Sequence, residues 1–287
     1  MFATTRLPAA LRPRPLLLSR LPHALGAVAL VAALGAVGMG CSFLELNGGK
    51  SATLTYTEDA RLAYNEAMEA FRAKEWENAK ALFDEVKRLF PYTRYARLAE
   101  LRSADIAFEQ GKYSDAIAAY RAFVQEHRQD RDVEYARYRI TKALYLDVDD
   151  TVLLPAMEER DQATTLEAYR EIRSYLKEYP RGRYRKDLAY MLDVVTGRLV
   201  RHELYVARYY LRSDDFEATL ARVNYALRVY PGSGLDPEAL VLKGETLLKM
   251  HRWKDAKGTF AQVIDIHGGP FAVTAQSFLD EMKRQGR

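Results

Sequence analysis

Cysteine is all but missing from this chain: one residue in 287, Cys41. A single thiol excludes an intramolecular disulfide, a thiolate metal cluster and a CxxC redox pair. Histidine is scarce as well. The five, His23, His127, His202, His251 and His267, include no HExxH arrangement. The phosphate-binding GxxxxGK[ST] loop, the GxGxxG turn and the GxSxG elbow are all absent. Asp147, Asp149 and Asp150 gather negative charge but lack the EF-hand pattern, which leaves a solvated loop as the reading. With no constellation of catalytic groups the sequence argues against an enzyme and calls for no cofactor and no metal. No sustained period-two pattern marks a strand.

Charge of one sign is also lacking where it would count. The formal net charge is +4, but Arg6, Arg12, Arg14 and Arg20 precede residue 41 with no acid among them. Setting those four aside from 43 basic residues leaves 39 against 39 acidic ones. A neutral body gives no electrostatic reason to expect nucleic acid as a partner.

Long apolar runs are limited to one, Ala24 to Val37, made of Ala, Gly, Val and Leu. It follows the arginines and precedes Gly38-Met39-Gly40-Cys41, which is the layout of a secretory signal (1–40). The arrangement resembles a bacterial lipoprotein signal, in which Cys41 becomes the lipidated first residue. Gly38 stands where such signals usually carry a larger aliphatic. An uncleaved anchor or an ordinary signal peptide are the alternatives, although the run is shorter than the ~20 residues a span needs. Acylation would tie the chain to a membrane, since each buried CH₂ adds about 0.8 kcal/mol. Ser42 in place of an aspartate points to the outer membrane, on its periplasmic face. Residues 41–57, with Gly48-Gly49, read as the lipidated end and a non-helical tether.

What is present beyond Thr57 is helical periodicity. One template recurs: Trp76-x-x-Ala79-x-x-x-Phe83, Tyr113-x-x-Ala116-x-x-x-Tyr120 and Trp253-x-x-Ala256-x-x-x-Phe260. Large, small and large side chains thereby share one helix face, and the small one admits a neighbouring helix. Weaker copies are Thr165-x-x-Ala168-x-x-x-Ile172 and Phe216-x-x-Thr219-x-x-x-Val223. Phe90-Pro91, Tyr179-Pro180 and Tyr230-Pro231 stop helices, because proline lacks the N–H and clashes with the preceding turn. The stretch from Asp147 to Asp161, with a proline and acids, reads as a surface insertion. The pattern predicts an all-α superhelical solenoid of about five tetratricopeptide-like hairpins with a C-terminal capping helix. Repeats one to three would occupy 58–198; repeats four and five with the cap, 199–287.

In such a stack the first helix of each pair faces a concave groove. Repeat register puts Tyr64, Met68, Phe71, Leu101, Asp105, Phe108, Tyr138 and Lys142 on that face, a mix of rings and charges suited to an extended peptide. The same positions alternatively pack against the next hairpin.

Several stretches carry a narrower resemblance: Tyr135-Ala-Arg-Tyr138, Arg160-Asp161-Gln162, Tyr179-Pro-Arg-Gly-Arg-Tyr184 and His202-Glu-Leu-Tyr-Val-Ala-Arg-Tyr-Tyr-Leu211, followed by Arg222. With the signal and repeat plan, residues 50–285 resemble the BamD family, lipoproteins of the outer-membrane β-barrel assembly machinery. Thr219 and the Pro231-Gly-Ser-Gly turn depart from that family. The resemblance implies a non-enzymatic scaffold. Its N-terminal repeats would receive unfolded outer-membrane protein precursors. Its C-terminal repeats would dock on BamA, the central barrel subunit, alongside other assembly lipoproteins. Tyr205, Arg208, Tyr209 and Arg222 are the docking candidates. A different periplasmic repeat lipoprotein, an adaptor for cell-wall, division or motility complexes, is the other reading.

Overall fold

Eleven helices account for nearly all of the described residues, 48–148, 156–266 and 268–286 of a computed structural model. They are α1 (Gly48–Arg72), α2 (Trp76–Leu89), α3 (Arg94–Glu109), α4 (Tyr113–Glu126), α5 (Val133–Leu146), α6 (Ala163–Glu178), α7 (Arg185–Arg212), α8 (Phe216–Val229), α9 (Asp236–Lys249), α10 (Trp253–Ile266) and α11 (Gly269–Arg284). Each packs on the next, giving five successive hairpins and a terminal helix laid on α9 and α10. There is no strand among the described residues. None of their helices is long and apolar enough to cross a membrane.

The template residues do what their spacing dictates. Ala79, Ala116, Ala168, Thr219 and Ala256 are all 0% exposed, one at the centre of each hairpin. Thr219 fits where the others carry alanine because its hydroxyl donates to the Asp215 carbonyl at 2.8 Å. The added polar group is thus satisfied within its own helix.

Four of the five hairpins close with one turn. After α1, the Glu75 N–H reaches the Ala70 carbonyl at 3.0 Å and Lys74 N–H reaches Phe71 at 3.0 Å. The same pair of bonds recurs at Gly111-Lys112, Asp214-Asp215 and His251-Arg252. This six-to-one closure needs a left-handed residue, and Lys74, Gly111, Asp214 and His251 have φ of 61°, 72°, 57° and 59°. Only Gly111 adopts it without cost. The third hairpin instead carries the insertion.

Three details differ from the sequence expectations. The tether was expected to stay non-helical through Thr57, yet α1 starts at Gly48. Tyr56 explains part of this: its ring meets Phe90 edge-on at 5.2 Å and its hydroxyl donates to the Leu89 carbonyl at 3.2 Å. The 198/199 division falls inside α7, so the fourth hairpin starts at Arg185. The end of the insertion is not free: residues 157–159 form a 3-10 turn against α7, where His202 Nδ1 lies 2.7 Å from the Glu158 carbonyl. Cys41, the signal segment, Asp149 and Asp150 lie outside the described residues.

Candidate functional site

The residues expected in the groove form a chain of contacts along α3, α5 and α7. Asp105 is its centre, 1% exposed. Tyr120 of α4 donates to its carboxylate, Tyr135 of α5 does so at 2.7 Å, and Arg102 and Arg139 pair with it, the latter at 3.4 Å. Arg139 also donates to Tyr120 Oη at 3.1 Å and to Glu109 at 3.0 Å, with its guanidinium 3.7 Å from the Phe108 ring centre. Burial, then the Asp105 carboxylate, push the phenols of Tyr120 and Tyr135 well above their ordinary range. Burial opposes the Arg139 cation, but the surrounding tyrosines and Asp105 outweigh it and hold its pKa raised.

A second set follows one hairpin on. Tyr138 donates to Asp187 of α7 at 2.6 Å, receives Lys142 at 3.1 Å and stacks on Tyr184 at 4.0 Å with the rings 9° apart. Burial, then Asp187, push its phenol up. Leu101, Asp105, Phe108 and Tyr138 are therefore interior groups that join hairpins, with little surface to offer a peptide. The helix face that register assigns to the groove is used here by the next hairpin. Tyr64, Met68 and Phe71 are half-buried: Tyr64 lies 5.7 Å from both Phe83 and Tyr95, and Phe71 meets Trp76 edge-on at 5.5 Å. With Lys142 they keep the exposed edges of the row.

The candidates on the fourth hairpin are placed differently. Tyr205 and Tyr209 of α7 are exposed, 36% and 57%. Arg208 is held by Glu238 of α9, and Arg222 of α8 by the buried Glu203 at 3.3 Å. Tyr205 hydrogen-bonds Glu159 in the insertion, which is the main cause of its raised pKa. The exposed rings are thus mounted on a helix braced from both sides. Sequence reasoning missed Tyr190, 65% exposed on the same helix; a lone tyrosine in a helical repeat gives no signal of its own.

It also missed a cleft of about 810 Å³ between α6, α7 and the α8–α9 turn. Arg173, Arg228 and Asp193 stand in it with Tyr169, Tyr230 and the backbone of Gly232–Gly234. Arg173 donates to the Tyr169 hydroxyl at 2.9 Å, and Tyr169 to the Val229 carbonyl at 3.3 Å. The Pro231-Gly-Ser-Gly turn, with φ of 72° at Gly232 and 77° at Gly234, was the available clue.

Comparison with known proteins places this geometry in context. Residues 57–262 match the model of the YfiO family, described as an outer membrane lipoprotein. The chain is similar to "Outer membrane protein assembly factor BamD" of Xylella fastidiosa, 25% identical over 187 residues, covering 63% of each chain. It therefore spans less than two thirds of that relative's length. It is also similar to the protein of the same name from Caulobacter vibrioides, 26% identical over 209 residues, covering 72% of this chain and 66% of the other. Among solved structures, the TPR2AB-domain:pHSP90 complex of yeast Sti1 is similar at a TM-score of 0.40 and 14% identity, over 79% of this chain and 86% of that one.

Proposed function

This chain belongs to the YfiO family of outer membrane lipoproteins, and from that premise we propose that it is a non-enzymatic scaffold of outer-membrane protein assembly. It holds unfolded barrel precursors through its first three hairpins. It docks on the periplasmic part of the central barrel subunit through the fourth and fifth. Cys41, acylated, moors it to the inner face of the outer membrane.

One observation carries the docking half of this reading. α7 presents Tyr205 and Tyr209 to solvent on a backbone fixed by Arg208–Glu238, Arg222–Glu203 and the insertion. Rigid, exposed tyrosines on a braced element lose little freedom on binding, which suits a protein interface. The precursor half rests on the exposed edges of Tyr64, Met68, Phe71 and Lys142, and is read from the family.

Co-purification from detergent-solubilised envelope tests the proposal. The expected result is recovery of a large barrel protein with periplasmic domains, reduced at least tenfold by Tyr205→Ala with Tyr209→Ala while the variant melts as the parent does. Depletion should lower many outer-membrane porins together. Normal porins with a septation or wall defect would favour the adaptor instead. Labelling with a fatty-acid probe, lost in Cys41→Ala, tests the anchor.

A further inference from the structure

The second hairpin ends unlike its neighbours. Phe90, Tyr179 and Tyr230 close α2, α6 and α8 with one backbone shape, φ near −115° to −128° and ψ of 47° to 69°, and each is followed by proline. His127 closes α4 in that same shape, φ −120° and ψ 45°, followed by Arg128. An imidazole therefore stands where the first, third and fourth hairpins use an apolar or phenolic ring. Like Tyr179 on Tyr175, at 4.9 Å, it packs on the aromatic one turn before it, Phe123, at 4.8 Å.

Two carboxylates stand near its ring. His127 Nε2 lies 2.7 Å from Glu100 Oε2 of α3, and a ring nitrogen of His127, a Glu100 oxygen and an oxygen of the exposed Glu126 all lie within 4.8 Å of one another. The hydrogen bond to Glu100 accounts for one carboxylate only. Glu126 has no hydrogen-bond or ion-pair partner among the described residues. Two like charges thus converge at the carbonyl end of α4, where the helix dipole adds negative potential. The nearby Arg97 does not answer them, being held by Asp130 at 2.7 Å. A cleft of about 480 Å³ opens the spot to solvent, with Arg128 on its wall.

The geometry points to a divalent transition-metal site, zinc by preference, formed by His127, Glu100 and Glu126. One imidazole with two carboxylates suits Zn²⁺, and three protein ligands leave room for water. Bonds of roughly 2.0–2.2 Å place neighbouring ligand atoms about 3.3–3.5 Å apart. Binding would draw the Glu126 oxygen in and displace the proton between His127 and Glu100. Bound metal would clip α3 to the end of α4 and stiffen the second hairpin. The ligands come from Glu100 and from residues 26 and 27 positions later, so no local motif announces them.

Calorimetric titration of Zn²⁺ into the full-length, untagged, detergent-solubilised protein tests the site. Two variants keep the fold. His127→Phe installs the ring the first hairpin carries as Phe90, and Glu126→Gln leaves the Glu100–His127 bond intact. The wild type should bind one more Zn²⁺ than His127→Phe and should melt higher when saturated. Glu126→Gln should weaken that site at least tenfold. Mg²⁺, which prefers oxygen cages, should not compete. Equal zinc stoichiometry in wild type and His127→Phe, no saturable zinc in the wild type, or unchanged affinity in Glu126→Gln would each overturn the assignment.

Discussion

Gly244 of α9 packs close against the ring of Phe260 in α10: a Cβ on Gly244 would lie 2.4 Å from Phe260 Cε1 and 2.6 Å from Cζ. The ring is also held by stacking on Phe278 at 4.9 Å with planes 10° apart. Gly244→Ala should therefore destabilise, although alanine gains about 1 kcal/mol of helix propensity. Overpacking of this kind costs about 1–3 kcal/mol. Urea unfolding of the variant should show a lower midpoint; an unchanged or raised midpoint would mean α9 and α10 are further apart.

The repeated hairpin closure offers the opposite test. Lys74 holds φ of 61° with a Cβ that the left-handed region penalises by roughly 1–2 kcal/mol. Lys74→Gly relieves that and loses part of the gain to a freer unfolded chain. A net stabilisation of about 0.5–1 kcal/mol is expected, seen as a higher melting temperature. Asp214→Gly and His251→Gly should gain less, since Asp and His tolerate this conformation better than Lys.

Asp105 holds together groups from three helices. Asp105→Asn keeps an oxygen for Tyr120 or Tyr135 but strips the charge that faces Arg102 and Arg139. Removing one partner of a buried pair costs about 3–5 kcal/mol. The lower end is expected here, because Arg139 retains Glu109. Loss should show as a lower melting temperature with far-ultraviolet helix content unchanged below the transition.

Alkali should unfold the protein through this cluster and the buried tyrosines of the next hairpin. The phenols of Tyr120, Tyr135, Tyr138 and Tyr175 are raised in the folded chain, each mainly by burial and then by a neighbouring carboxylate. Unfolded tyrosine ionises near pH 10. Below that both states are protonated and the full stabilisation is present. Above it the unfolded chain binds fewer protons, so stability falls with rising pH. Tyrosinate absorbance should rise in two steps, the second coinciding with loss of helical circular dichroism. Tyr135→Phe should make the stability loss above pH 10 less steep.

Much of the stack could be read in the sequence because its key contacts are local. A small residue three positions after one ring and four before the next encodes a close helix pair within one stretch of chain. Even the degenerate copies at Ala168 and Thr219 fell into place. The candidate site was harder. Register alone cannot tell a groove-facing ring from one seated on the next hairpin. Asp105, for example, owes its burial to Tyr120, Tyr135 and Arg139, whose identities as partners depend on how three helices meet. Gly48-Gly49 misled for a related reason. A glycine costs about 1 kcal/mol in a helix interior, but Gly48 and Gly49 are the first two residues of α1, with Tyr56 packed on Phe90 a few residues on.

At 28 residues, α7 is the longest helix described, and it runs without a break. One end holds Asp187, fastened to Tyr138; the other carries Tyr205 and Tyr209. At 1.5 Å per residue Asp187 and Tyr205 are about 27 Å apart along the axis. A load gripped at the tyrosine end is thus set at a fixed offset from the front hairpins, as by a strut rather than a hinge.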